Sequence, residues 1–226
     1  VGAIGGKNYA GIKTGSVYVH HVSGNTWTQF EINPQDGQPH ADFGSSVAID
    51  GDYLVVGAQW GSTYISGAGA AYIYKYDGVS WQFQQKLNDP NSLFYGRFGS
   101  SVAISGDVIV VGAPGEYSMS GTQYGSAYVY RNNGSYWQLQ AVRTIGNDPT
   151  EFFGCSVDVS GHNVVVGARG VGAEIGAVFL YTFANGTWDY GTELHRANPS
   201  ISDEYGDAVA IDGDTIVVGA PEGYHM

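Results

Sequence analysis

The chain has 226 residues, a single cysteine and a formal net charge of −12. A chain of this length buries roughly 70–75% of the surface it exposes when unfolded, so it needs no covalent staples, and Cys155 alone excludes a disulfide framework. The acidic balance argues against nucleic acid or an anionic membrane surface as a partner, because both attract basic patches, and no stretch approaches the length of a membrane-spanning helix. With 35 Gly, 17 Tyr and only 13% charged residues, the composition suits short strands joined by tight hairpins.

Val1-Gly2-Ala3 opens the chain in the middle of a recurring phrase and without a Met, which predicts a mature or excised piece of something longer. Two predicted strands follow, Gly15 to His20 and Trp27 to Ile32. Residues 43–87 then hold one full unit. Val47-Ala48-Ile49 is the heart of a first strand. Asp50-Gly51 predicts a two-residue hairpin of the I′ type, in which Gly accepts a positive φ. Tyr53-Leu54-Val55-Val56 is a continuous apolar run, as in a strand covered on both faces. Gly57-Ala58 ends it, a long loop follows, and Ala70-Ala71-Tyr72-Ile73-Tyr74 is the third strand. Asp77-Gly78 turns the chain into a fourth strand from Trp81 to Leu87.

The unit then repeats. Its aromatic heads stand at Phe43, Phe98, Phe153 and Tyr205, a period of 55, 55 and 52 residues, and the Trp recurs as Trp27, Trp137 and Trp188. Cys155 occupies the slot of Ser45 and Ser100, so a small packed side chain is expected there and not a nucleophile. Asp50, Asp52, Asp107, Asp212 and Asp214 fall in turns, where turn chemistry and solubility account for them. A four-stranded meander cannot cover both its faces alone, so neighbouring units must stack. Sheets of this kind at this period, with no helical periodicity between them, predict an all-β fold, a β-propeller of four-stranded antiparallel blades. The parts are 1–41, 42–96, 97–151, 152–203 and 204–226, a single region of about four blades. The two ends carry complementary strands, which would close a four-bladed ring. Val1-Gly2-Ala3 and Val218-Gly219-Ala220, however, are the same piece of strand two, which favours a window cut from a longer ring over a four-bladed ring with one displaced end.

Phe-Gly at the head of each unit and Gly-Ala-Pro at its middle (Gly112-Ala113-Pro114, Gly219-Ala220-Pro221) resemble the FG-GAP repeat, best known from the propeller of integrin alpha subunits. The variant here looks like the bacterial and algal branch of extracellular repeat proteins. The resemblance covers essentially the whole chain. It implies a ring of commonly seven blades, an extracellular location, and binding or adhesion in place of catalysis. Several integrin blades carry a calcium loop between strands one and two, so calcium is the cofactor that the family would imply. Here that connection is only Asp50-Gly51-Asp52, Ser105-Gly106-Asp107, Gly161-His162-Asn163 or Asp212-Gly213-Asp214. Calcium takes six to eight converging oxygens, which a two-residue turn does not offer, so no metal site and no cofactor is assigned.

Nor does a catalytic motif emerge. His20-His21 point to opposite faces of a strand, and His40, His162, His195 and His225 are scattered without partners at ligand spacing. No catalytic residue is assigned, and an enzyme assembled across blades is the least favoured reading. Asn133-Gly134-Ser135 and Asn185-Gly186-Thr187 fit the N-glycosylation pattern, and Asn-Gly is equally good turn chemistry. The informative asymmetry is loop length. The connections between strands two and three are long and unlike one another, and variable loops on a rigid scaffold are where recognition lives. Trp60, Tyr64, Tyr117 and Tyr124 fall in them with Glu116 and Arg169. These are the candidate ligand-binding residues, for a protein or carbohydrate partner, unless the rings pack the loops onto the blades. The expected function is therefore an extracellular recognition or adhesion module. The alternative is a structural block of a cell-surface assembly, which self-assembles or pairs with further blades.

Overall fold

The structure, a computed structural model, describes residues 1–6, 11, 13–61, 67–90, 95–115, 125–145 and 151–222. It consists of antiparallel sheets in succession. The first blade holds β1 (Gly2–Ala3), β2 (Ser16–Ser23) and β3 (Thr26–Ile32) in that order. The second holds β4 (Phe43–Asp50), β5 (Tyr53–Ala58), β6 (Ala70–Tyr76) and β7 (Trp81–Asn88). The third holds β8 (Ser101–Ser105), β9 (Val108–Ala113), β10 (Ser126–Asn132) and β11 (Trp137–Thr144). The fourth holds β12 (Phe153–Ser160), β13 (Asn163–Ala168), β14 (Ala177–Ala184) and a divided last strand, β15 (Thr187–Trp188) and β16 (Thr192–Leu194). The fifth is the hairpin of β17 (Ala208–Asp212) and β18 (Thr215–Gly219), a sheet separate from β1–β3. These stacked meanders are the blades of a β-propeller.

The core lies between blades. Leu54 and Val56 join Val17, Phe43 and Tyr72 in the cluster between the first and second blades, while Val55 joins Val102, Ile104 and Tyr128 in the next one. Alternate side chains of one strand thus enter two different cores, which is why the run from Tyr53 to Val56 has no polar member. Similar clusters fill the following gaps.

The repeated glycines explain how the blades come so close. At the head of β4 the pairing jumps from Phe43–Ala58 to Ser46–Gly57, so Gly44 and Ser45 bulge out of the sheet. The bulged Phe-Gly backbone lies against the preceding blade, and Gly15, Gly69 and Gly176 form parallel bridges to Phe43, Phe98 and Tyr205. A Cβ on Gly57, Gly112 or Gly167 would lie 1.9, 2.1 and 2.0 Å from the carbonyl oxygen of Gly99, Gly154 and Gly206 in the next blade. The hydroxyls of Ser46, Ser101 and Ser156 donate to those same carbonyls at 2.8, 2.8 and 2.7 Å. Each head phenylalanine is buried beneath strand-three rings, Phe43 with Tyr72 at 5.3 Å and Phe98 with Tyr128 at 5.1 Å between centroids.

Three expectations need correction. The hairpins between strands one and two have loops one place later than Asp50-Gly51: Asp50 pairs with Tyr53, so the loop is Gly51-Asp52, and only Gly51 has a positive φ (53°). A I′ turn needs two such residues. The turn beginning at Asp77 is wider than expected, four residues between Tyr76 and Trp81, because the Asp77 carboxylate takes the N–H groups of Val79 and Ser80 at 2.9 and 2.8 Å and organises the loop locally. The fourth blade also carries a short helical turn, Val171–Glu174, in its strand two–three connection, with Gly172, Ala173 and Glu174 at positive φ.

Candidate functional site

In an antiparallel meander the strand two–three loops and the connections from strand four to the next blade share one end of the sheets. Two ring–cation pairs stand there. Trp60, two residues past β5, lies under the Arg97 guanidinium at 4.9 Å, with the edge of Tyr95 at 6.4 Å. The Trp60 backbone N–H donates to the Ala41 carbonyl at 3.2 Å, and a Cβ on Gly67 would approach both the Trp60 and Tyr95 rings to 3.0 Å. Trp60 is therefore half-buried and held in place, while Tyr95 is exposed beside it. In the fourth blade the roles are exchanged. Arg169, directly after β13, lies 4.9 Å from the Phe152 ring centre and donates from Nη1 to Asp207 Oδ1 at 2.9 Å, tying its own blade to the fifth. In the second blade Gln59 Nε2 reaches Asp42 Oδ2 at 3.4 Å from the corresponding positions.

Of the residues singled out in the sequence, Trp60 and Arg169 are brought to this face in two separate clusters. Tyr64, Glu116, Tyr117 and Tyr124 lie outside the described residues. Asn133 and Asn185 sit at the opposite end, in exposed strand three–four turns. The Asn133 side-chain oxygen accepts from the N–H of Ser135 and Tyr136, both at 3.0 Å, and Asn185 and Gly186 form a two-residue turn with φ of 53° and 82°. Sequence reasoning missed Tyr95, Arg97, Phe152 and Asp207. The signal was available: Arg97 and Phe152 each stand immediately before a head Phe, a position that varies (Asp42, Arg97, Phe152, Glu204) within an otherwise constant phrase.

Among the described residues no group of three His, Cys, Asp or Glu side chains is placed to hold a metal ion. Two of the turn carboxylates are drawn into the scaffold. Asp50 accepts the Gly106 N–H of the next blade at 2.6 Å, and Asp107 pairs with Arg131 at 2.6 Å. Cys155 is a packing residue whose thiol contacts the Gly167 and Gly206 carbonyls at 3.6 and 3.5 Å, and burial pushes its pKa up, away from a reactive thiolate. No helix among the described residues is long and apolar enough to cross a membrane.

Comparison with known proteins agrees with this geometry. The sequence profile of the FG-GAP repeat matches residues 27–74, 81–130 and 188–225. No curated protein matches the chain. The matched segments cover more than half of the sequence and run across the junctions where the glycines and head aromatics meet, and the chain belongs to the FG-GAP repeat family.

Proposed function

We propose that this chain is an extracellular recognition module that binds a protein or glycan through the face bearing its strand two–three loops. The observation that supports the reading is the pair of ring–cation clusters on that face, Trp60 with Arg97 and Phe152 with Arg169. Aromatic and arginine side chains are the usual anchors of an interface. Rings already held against the ends of the sheets lose little conformational freedom when a partner arrives. FG-GAP repeats typically occur in extracellular proteins, in agreement with this placement. The test is a screen on glycan and extracellular-protein arrays with wild type, Trp60→Ala and Arg97→Ala. A ligand whose affinity falls about tenfold or more in the variants supports the face, and a ligand held equally by all three removes it.

A further inference from the structure

Tyr95-Gly96-Arg97 leads into the third blade on the loop-bearing face. Backbone hydrogen bonds hold it on two sides. The Arg97 N–H donates to the Gly67 carbonyl of the second blade at 3.1 Å, and the Gly96 carbonyl accepts the N–H of Gly115, two residues past β9, at 3.2 Å. Glycine makes the room. A Cβ on Gly115 would lie 2.3 Å from the Tyr95 carbonyl oxygen and 3.3 Å from Cγ and Cδ of Arg97. The stem of Arg97 thus rests on Gly115, and its guanidinium lies over the Trp60 ring.

Tyr95 and Arg97 both have a φ of 57°, a left-handed conformation in which glycine is the least costly residue. The conformation belongs to the fold, because His40 and Asp42, and Ser202 and Glu204, share it at the corresponding places. The choice of side chain does not. Both residues are exposed, so a large ring and a cation stand together where the backbone favours neither.

Arg97 also differs from the other described arginines. Arg131, Arg169 and Arg196 pair with aspartates. Arg143 has no carboxylate, but its N–H groups reach the carbonyls of Val142, Trp188 and Asp189. The Arg97 guanidinium has no carboxylate among the described residues, and it is open to solvent. A guanidinium with one face fixed on a ring presents its N–H edge in a set direction, which suits the two parallel bonds of a carboxylate.

We propose that Arg97 receives an Asp or Glu carboxylate from a peptide segment of a protein partner, with the Tyr95 ring packing beside it. Tyr and Arg are enriched at the centre of protein interfaces. The net charge of −12 disfavours a generally acidic partner, so the segment carries its acid in neutral or basic surroundings. This assignment rests on the reading that the loop-bearing face binds, and names the chemistry of its partner.

The experiment selects binders to the full chain from a phage-displayed library of random dodecapeptides and measures the synthetic peptides by calorimetric titration. The selected peptides are expected to share an Asp or Glu. Replacing it by Asn or Gln, and Arg97→Gln in the protein, each lower affinity about tenfold or more, and both changes together lower it no further than either alone. Tyr95→Ala lowers it several-fold, and melting curves confirm that each variant is folded. The proposal is overturned if no peptide is selected, if the peptides share no acid, if Arg97→Gln leaves their affinity unchanged, or if the acid and Arg97 act additively. A ligand lost in Trp60→Ala and kept in Arg97→Gln overturns it as well, while leaving the binding face in place.

Discussion

Gly112 has no special backbone dihedral, yet it admits no side chain. Its missing Cβ is filled by the Gly154 carbonyl oxygen at 2.1 Å and Ser101 Oγ at 2.2 Å. Gly106, in the hairpin loop of the same blade, is the reverse case: φ is +56°, and nothing lies within 4 Å of a Cβ. The two glycines therefore do different work. Gly112→Ala forces the third and fourth blades apart and costs about 3 kcal/mol, the upper part of the range for overpacking, whereas Gly106→Ala costs about 1 kcal/mol for a left-handed alanine. Urea denaturation of both variants measures this, and a Gly112→Ala protein no less stable than Gly106→Ala contradicts the junction geometry. In the sequence the turn glycines were legible from their neighbours, because a positive φ is a local matter. The strand-two glycines could be read only as strand ends, since the atom that excludes their side chains belongs to the next repeat.

At the scale of one strand, the four repeated tryptophans show how far repetition goes. Trp137 is 3% exposed, stands edge-on to Tyr53 of the preceding blade at 5.5 Å, and exchanges backbone hydrogen bonds with the Gln85 side chain at 2.8 and 2.9 Å. Trp27, at the same place in the first blade, is 67% exposed. Trp137→Ala should cost about 3–5 kcal/mol as a buried large-to-small change, and Trp27→Ala should stay within about 0.5 kcal/mol of wild type. Paired thermal melts decide it; equal losses would mean that the indoles act within their own blades. The fourth blade departs from the pattern in its last strand, where Asp189, Tyr190 and Gly191 interrupt the pairing to β14. The Asp189 carboxylate accepts the N–H of Thr182 and Gly191 at 3.0 and 3.1 Å, and a side chain on Gly191 would strike the Tyr181 ring. The shortened repeat spacing near this blade was visible in the sequence. The break was not, because Trp188 and the residues around it still read as one strand until the Asp189 hydrogen bonds are seen.

Over the whole molecule the period alone disclosed the sheets and their order, because a sequence that repeats must repeat its packing. What the period concealed is the wiring from blade to blade, carried by residues outside the repeated phrase. Tyr72 of the second blade donates to both oxygens of Asp36, in the connection that enters that blade, at 2.9 and 3.0 Å, and Asp36 is ion-paired to Lys86. Tyr128 reaches Asp89 at 3.2 Å in the corresponding place one blade on. These phenols must stay protonated. Burial, and then the Asp36 charge, hold Tyr72 and Tyr74 far above an ordinary tyrosine, and burial pushes Tyr181 up to about 12. In the unfolded chain each tyrosine ionises near pH ~10. Above that pH the unfolded state gives up protons that the folded state retains, so stability is complete below pH ~10 and falls as the medium becomes more alkaline. Thermal melts across the alkaline range should therefore show a plateau followed by a steep fall. Tyr181→Phe should flatten the part of the fall between pH ~10 and the folded pKa of about 12, and Tyr72→Phe should flatten a part that extends beyond it, at the cost of the hydrogen bond to Asp36. Tyrosinate absorbance on the folded protein gives the independent check: if all the phenols titrate together near pH ~10 while the sheets remain intact, the strand-three tyrosines are not the buried ties between blades described above.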